Sequence, residues 1–547
     1  MKKNISRPAE VPLLTAGIVT DTHIRENAAS CRKVRRALEL FRELKADLLI
    51  NCGDIANHHA PEGYRRYRKL IDTIFARAKK KPEEIFVYAG HDRGGNIDPE
   101  QAFPNLKKLL KIPHDPDCEL KFAGYTFLVF DQYVDMERFE KTIGEAVKKS
   151  PGKPVFVIDH VPPARTFHNS VLWGSEARRQ VMEKFPGAVH ISGHVHGSVH
   201  DELCIWQGPF TAVSAGCLSS WGGEFAGSVP QIKPSDGVLF MEVFEDRIRF
   251  RRYDLTTKRE YAPERRWCVP WPFRPETAPY DPDRLKEERP APLFPPRARL
   301  VLTPCGRKFA GLQLRFTPAR PDVYLYRVLI EKKSKGKSFE QVAVKEECGS
   351  FWQAPSKAAR PMEITLSGGY FEARKTYRIT LIPVNFWGKE GNALSGECTI
   401  PAAVPAKVLF ESKDPMAELP FLTDLKEGHP LKKEGDLYFD DAWNARLELP
   451  EKIWDIPGGA KLRFIADIHT VQETERRWVM NLRNPEPLVN GSPRIHTAKG
   501  DLTSRYVIDF EMIEGYKFYL LVRSGDPGRI GFDYVRLEEL PGEENEH

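Results

Sequence analysis

Val189-His190-Ile191-Ser192-Gly193-His194-Val195-His196 reads as a short apolar strand that stops at a glycine and then offers two imidazoles. The same pattern recurs upstream. Ala16-Gly17-Ile18-Val19 leads into Asp21-Thr22-His23, and Leu48-Leu49-Ile50 into Gly53-Asp54. Ile85-Phe86-Val87-Tyr88 leads into Gly90-His91-Asp92, and Val155-Phe156-Val157-Ile158 into Asp159-His160. Short β-branched runs separated by helical patterns read as buried strands of an α/β sheet. Loops at the carboxyl ends of such strands converge on one edge, where α/β folds place their chemistry. Asp21, Asp54 and five histidines (His23, His91, His160, His194 and His196) can therefore meet in one place. The spacing predicts a metal site.

The totals set bounds on the rest. A chain of 547 residues predicts two to four domains, and 41% hydrophobic residues can build real cores. The formal net charge of +6 comes from 82 basic residues nearly matched by 76 acidic ones, scattered along the chain, so there is no clear nucleic-acid signal. No apolar stretch approaches the ~20 residues that cross a bilayer, which argues against a membrane partner. A signal peptide would have to consume Asp21. Nine cysteines without CxxC spacing favour reduced thiols and a cytoplasmic location. Cys52, beside Gly53-Asp54, reads as a core thiol of a buried strand.

Residues 1–260 alternate strand and helix. Val34, Leu38, Phe41 and Leu44 fall at helical spacing, and Tyr64 to Lys79 predicts a second helix with a basic, solvated face. A hairpin over 237–250, turned at Glu245-Asp246, closes this part. Residues 261–297 are rich in proline, which fixes φ and removes ladder donors, and read as an extended connector. Trp267, Trp271 and Phe273 within it predict packing onto a neighbour. Residues 298–402 carry only strand signals, such as Leu312-Gln313-Leu314-Arg315-Phe316 and Tyr377-Arg378-Ile379-Thr380-Leu381. So do residues 403–547, which end in two long alternating strands. Trp443, Trp454 and Trp478 could stack on a sugar, with core packing the simpler reading.

An aspartate and a histidine two apart, then Gly-Asp, His-Asp, a strand-ending His and Gly-His-Val-His together resemble a calcineurin-like metallophosphoesterase, over about residues 13–256. The resemblance implies an α/β (α+β) metallophosphoesterase fold, a two-sheet β-sandwich flanked by helices, holding two metal ions. Phe371, Tyr377 and Asn385-Phe386-Trp387-Gly388 resemble the tyrosine-corner region of fibronectin type III domains. The last hairpin resembles that of galactose-binding-like jelly rolls. Two C-terminal all-β sandwich domains are therefore expected.

Carried over position by position, the resemblance assigns Asp21, His23, Asp54 and His196 to the first metal. Asp54 would bridge to the second, bound by His160 and His194. Carboxylate is the natural bridge between two divalent ions, and His/Asp sites accept Fe, Zn or Mn. His91 would contact the phosphate or protonate the leaving oxygen, with Asp92 orienting it. The resemblance implies hydrolysis of a phosphomonoester or phosphodiester by attack of a metal-bound hydroxide.

One position departs from the family. Gly90 stands where the family has an asparagine that ligates the second metal. Water could complete that shell, Asn57, His58 or His59 could swing in, or the second site could be weak. Arg25 could meet a substrate phosphate, and the Ser219-Ser220-Trp221-Gly222-Gly223-Glu224 loop could shape a pocket. The reading from a different class is a binding protein, a weakened phosphoesterase fold that recognises a phosphorylated or glycan ligand through its β-sandwich modules. Substrate identity stays open.

Overall fold

The computed structural model describes residues 10–24, 28–56, 60–93, 99–167, 170–218, 237–286, 290–305, 311–321, 323–334, 336, 338–349, 361–385, 388–402, 406–423, 432–434, 437–440, 444–453, 456–472, 476–484, 486–487, 494–497, 500–512, 519–523 and 528–541. They divide into two units, one holding the described residues up to 286 and the other those from 290 onward.

The first unit opens with β1 (Leu14–Val19), α1 (Ala28–Glu43), β2 (Leu48–Asn51), α2 (Pro61–Ile74) and β3 (Glu83–Phe86), then α3 (Gly90–Arg93) and α4 (Pro99–Leu110). A second series follows: β4 (Cys118–Phe122), β5 (Tyr125–Val129), α5 (Met136–Lys149), β6 (Val155–Ile158), α6 (Ser170–Trp173), α7 (Glu176–Met182) and β7 (Ala188–Ser192). After β8 (Ile205–Gln207) and β9 (Thr211–Ser214) the chain returns through β10 (Gly237–Val243), β11 (Arg247–Asp254), β12 (Arg259–Tyr261) and β13 (Trp267–Pro270).

Two sheets result. One runs β12-β11-β10-β1-β2-β3, with β13 also on β11, and the other β4-β5-β6-β7-β9-β8. Strands β1-β2-β3 pair in parallel, as do β5-β6-β7-β9. Alternation along each strand explains the layering. Phe156 and Ile158 of β6 join Ile18, Ile50 and Ile85 in the core between the sheets, while Val155 and Val157 face Phe139 and Ile143 of α5. Both faces of these strands are covered, which is why they read as continuous apolar runs rather than alternating ones. The unit has the two-sheet, helix-flanked architecture expected for it.

Local differences from the sequence reading have local causes. Helix α2 ends at Ile74 rather than Lys79, where the Phe75 N–H still reaches Ile71 O but the chain then turns, Ala78 N–H bonding Phe75 O. Its basic face is paired: Arg68 forks onto Glu84 and also meets Asp72, and Arg66 meets Glu62. Trp267 sits in β13, fully buried, with its Nε1–H on Glu202 Oε2 at 3.0 Å, and Trp271 Nε1–H bonds Gly152 O.

His200 is buried against the Tyr261 ring, with Nδ1 3.1 Å from Ser198 Oγ. Burial pushes its pKa down to about 4, against Asp254, which favours the proton. The unfolded chain, with His near 6.5, takes up a proton there before the folded chain does, so stability falls as pH drops from about 6.5 to 4. Wild type should lose about 3 kcal/mol across that window through this group. His200→Asn should lack that component, as urea melts at pH 7 and pH 4.5 would read. Equal pH slopes in the two proteins would refute the assignment.

In the second unit Val301–Cys305, Gly311–Phe316 and Met362–Ser367 form a three-stranded sheet. Val323–Lys333 pairs with both Phe339–Cys348 and Thr376–Asn385. Tyr377 is buried, and its hydroxyl accepts the Glu372 N–H at 2.9 Å, with Phe371 edge-on to its ring. Farther on, Lys461–Gln472 pairs with Gly500–Glu511 and Gly528–Glu539 over a core that includes Phe464, Ile468, Phe532 and Leu537. A bridge from Lys345 to Ile495 joins the sheets of these two regions edge to edge. Both regions are all-β. Phe386, Trp387, Trp443 and Trp454 lie outside the described residues. Among those described, no helix is long and apolar enough to cross a membrane.

Candidate metal centre

The parallel strands of both sheets end at one edge, and five tight turns carry the side chains there. Asp21 and His23 follow β1, Asp54 follows β2, His91 lies on α3 after β3, His160 follows β6, and His194 and His196 follow β7. Five of these residues have left-handed backbones: Asp21 (φ 47°), His23 (38°), Asp54 (52°), His194 (69°) and His196 (51°). Such conformations cost of order 1–3 kcal/mol each for side-chain-bearing residues and persist where the surroundings impose them. Their concentration on one edge marks it as a functional site.

Asp21 is the hub. Its Oδ2 accepts Thr20 Oγ1–H at 2.7 Å and the His194 N–H at 3.0 Å. Its Oδ1 is buried and makes no hydrogen bond, yet Nε2 of His196, His23 and His160 stand 3.1, 3.7 and 4.0 Å away. Asp54 Oδ1 accepts the His91 N–H at 2.9 Å, and its Oδ2 lies 3.1 Å from His160 Nε2 and 3.6 Å from His23 Nε2. His23 Nε2 and His196 Nε2 are 3.3 Å apart. The His23 and His91 rings meet edge to face at 4.6 Å, and the His160 and His194 rings at 5.0 Å.

These spacings suit a cation. Two ligands each about 2.0–2.1 Å from a tetrahedral ion stand about 3.3 Å from one another. Asp21–His23–His196, His23–Asp54–His91 and Asp21–Asp54–His160 each bring three ligand atoms within 4.8 Å of one another. His160 Nδ1 lies 2.8 Å from Cys52 O, which sets the ring so that Nε2, buried and without a hydrogen bond, turns into the site. A buried acceptor and a buried ring nitrogen, each without a hydrogen bond and 4.0 Å apart, fit a donor set for a cation.

The electrostatics agree. Burial would raise the Asp21 and Asp54 carboxyls, but His196 and His160 hold Asp21 well below its usual range, and His160 holds Asp54 at about 2. Burial would lower His160, but Asp54 and Asp21 push it up to about 10. Burial, with His160 alongside, takes His194 down to about 4, which leaves its ring a neutral donor. Asp92 is buried, and its Oδ1 accepts the N–H groups of Ile55 (3.0 Å) and Ala56 (3.3 Å) and the Tyr64 hydroxyl (3.1 Å). Burial and the nearby Asp54 charge push Asp92 up to about 8. Its side chain thus pins the chain that leaves Asp54.

Asp21, His23, Asp54, His91, His160, His194 and His196 are therefore gathered at one edge. Arg25, Asn57, His58, His59 and the Ser219–Glu224 loop lie outside the described residues. Four contributors carried no sequence signal as site residues. Thr20 buttresses Asp21. Cys217 Sγ donates to Asp21 O at 3.6 Å. Arg178 of α7 pairs with Asp159, whose Oδ1 accepts the His160 N–H. Trp173 of α6, 40% exposed, stands edge-on to His194 at 6.1 Å.

Residues 14–198 match the family model described as calcineurin-like phosphoesterase. Among solved structures, a dimetal phosphatase from Danio rerio is 12% identical, covering 48% of this chain and 99% of its own, with a TM-score of 0.36. The apo CBM1 of BiXyn10A is 11% identical over 24% of this chain and 99% of its own, with a TM-score of 0.19. The CBM22-1–GH10 modules of Clostridium thermocellum xylanase 10B are 8% identical over 26% of this chain and 30% of theirs, with a TM-score of 0.16. No curated protein matches the chain. The N-terminal unit carries a calcineurin-like phosphoesterase domain with the metallophosphoesterase fold.

Proposed function

We propose that the chain is a two-metal phosphoesterase that hydrolyses a phosphomonoester or phosphodiester. The observation that carries this is Asp21 Oδ1, buried without a hydrogen bond and ringed by three imidazole Nε2 atoms within 4.0 Å. Asp21, His23, Asp54 and His196 would hold one ion, and His160 and His194 the other, with Asp54 between them. Fe, Zn or Mn fits this donor set. Two such ions supply Lewis acidity, an activated water and neutralisation of phosphate charge.

The chain's own groups orient and move protons. The His91 N–H tie to Asp54 places the imidazole on the rim of the cage, where it can contact a phosphate oxygen or protonate the leaving oxygen. Asp92 is a positioning residue that fixes the Asp54 turn and, being adjacent in the chain, the His91 backbone. Trp173 offers an apolar wall beside His194. The described residues up to 286 form the catalytic part: Trp267–Pro270 joins its first sheet, so most of the proline-rich stretch read as an extended connector belongs to this unit. Residues 298–402 form a fibronectin type III-like module, supported by the Tyr377–Glu372 bond, and 403–547 a galactose-binding-like sandwich.

His91→Ala tests the reading in the metal-loaded chain. If His91 protonates the leaving oxygen, an alkyl phosphate should slow by roughly 10²–10⁴-fold, the range of general acid catalysis. p-Nitrophenyl phosphate, whose leaving group needs no proton, should slow far less, and metal content should stay the same. Equal losses on both substrates would remove His91 from proton transfer. Absence of turnover on aryl phosphates and diesters alike, in Mn or Zn, would sink the function itself.

A further inference from the structure

Gly90 offers the cage no side chain, and the space beside it is filled from elsewhere. A Cβ placed on Gly90 would lie 3.2 Å from Gln132 Oε1, 3.4 Å from its Nε2 and 3.7 Å from its Cδ. Its three nearest neighbours are the atoms of one amide group. An asparagine at that position would carry its own amide oxygen about 2.4 Å from Cβ. The Gln132 amide therefore sits in the volume such a side chain would occupy.

Gln132 is held there firmly. Its Oε1 accepts the Gly90 N–H at 2.6 Å, and its own N–H donates to Tyr88 O at 3.1 Å, so it is pinned to the strand that delivers His91. Its carbonyl accepts Arg178 Nη2 at 2.7 Å. Arg178 also pairs with Asp159, which in turn accepts the His160 N–H at 2.6 Å. Gln132 is thus tied through Gly90 to the turn that carries His91, and through Arg178 and Asp159 to the turn that carries His160. An amide oxygen has two lone pairs, and the Gly90 N–H uses one.

We propose that Gln132, from the loop after β5, supplies the amide oxygen that the second metal site lacks at position 90. This rests on the two-metal reading above. The amide has moved from the turn itself to a neighbouring loop, with its oxygen kept in the same region by the bare Gly90 N–H. Gly90 leaves that amide its place, since a Cβ 3.2 Å from Gln132 Oε1 would make it shift by a few tenths of an ångström.

The test is titration of the metal-free full-length chain with Mn²⁺ by calorimetry, with metal counts by mass spectrometry after dialysis. Gln132→Met, which keeps volume and removes the oxygen, should weaken the second Mn²⁺ by at least about tenfold and leave the first unchanged. Gln132→Ala should do the same. Gly90→Asn/Gln132→Ala, which returns an amide to position 90, should restore the second affinity to near wild type. Unchanged second-site affinity in both single variants overturns the assignment, as does failure of the double variant to restore it. Wild type that binds two Mn²⁺ without hydrolysing any phosphate ester would defeat the phosphoesterase reading and leave Gln132 in place. Wild type that binds fewer than two would defeat both.

Discussion

An Asp54→Asn variant is expected to hydrolyse a generic aryl phosphate at least roughly 10³-fold more slowly than wild type, about 4 kcal/mol of transition-state stabilisation. The substitution is nearly isosteric, and an amide oxygen can still accept the His91 N–H that Oδ1 now accepts at 2.9 Å. What it removes is the negative charge that lies within 3.6 Å of two ring nitrogens, those of His160 and His23. If Asp54 bridges two ions, neither site keeps its full ligand charge, so both affinities should fall together. Calorimetric titration with Mn²⁺ would show this alongside the rate. A variant that retains turnover within tenfold and both metals would take Asp54 out of the bridging role.

Gly193→Ala should be the most disruptive single methyl in the first unit. The new Cβ would stand 2.0 Å from Thr20 Oγ1, 2.4 Å from Asp21 Oδ2 and 2.9 Å from Thr20 Cβ. None of these atoms is the loose end of a flexible chain. Thr20 and Asp21 follow strand β1, and their side chains are already joined at 2.7 Å. Overpacking of this kind costs typically 1–3 kcal/mol. Relief requires Asp21 to swing away, which should also weaken the first metal by at least about a hundredfold, at the upper end of supporting-residue effects. Gly187→Ala is the control: its Cβ would meet only Val147 and Trp271 at 3.9 and 4.0 Å. Thermal melts and metal titration read both effects. Normal metal binding by Gly193→Ala would mean that the close approach of the two turns does not set Asp21.

Much of this was legible in the chain because the first unit is locally consistent. Strands such as Val155-Phe156-Val157-Ile158 are apolar throughout because each face packs on a different core, and the polar residues begin where the strand stops. What could not be read is what depends on contacts between distant segments. Gln132 lies 42 positions from Gly90, and no periodicity connects the two. Arg178 lies on a helix whose pattern shows only a buried face, so its pairing with Asp159 is visible only once α7 has packed. The left-handed backbones of Asp21, His23, Asp54, His194 and His196 depart from the usual preference, as functional turns do; Asp and His adopt them more readily than most residues, but that tendency does not mark which positions will. In the second unit the alternating strands are plain from the sequence, whereas the Lys345–Ile495 bridge that joins two of its sheets is not.

One edge of the first unit is expected to hold two metal ions. Metal-free full-length protein should be loaded with Mn²⁺ or Zn²⁺, dialysed and counted by mass spectrometry, while aryl phosphate hydrolysis is followed through chelation and reloading. Two ions per chain, with turnover lost on chelation and regained on reloading, is the result expected from the Asp21, Asp54 and imidazole cage. One ion or none per chain, with no turnover in either metal, would contradict it.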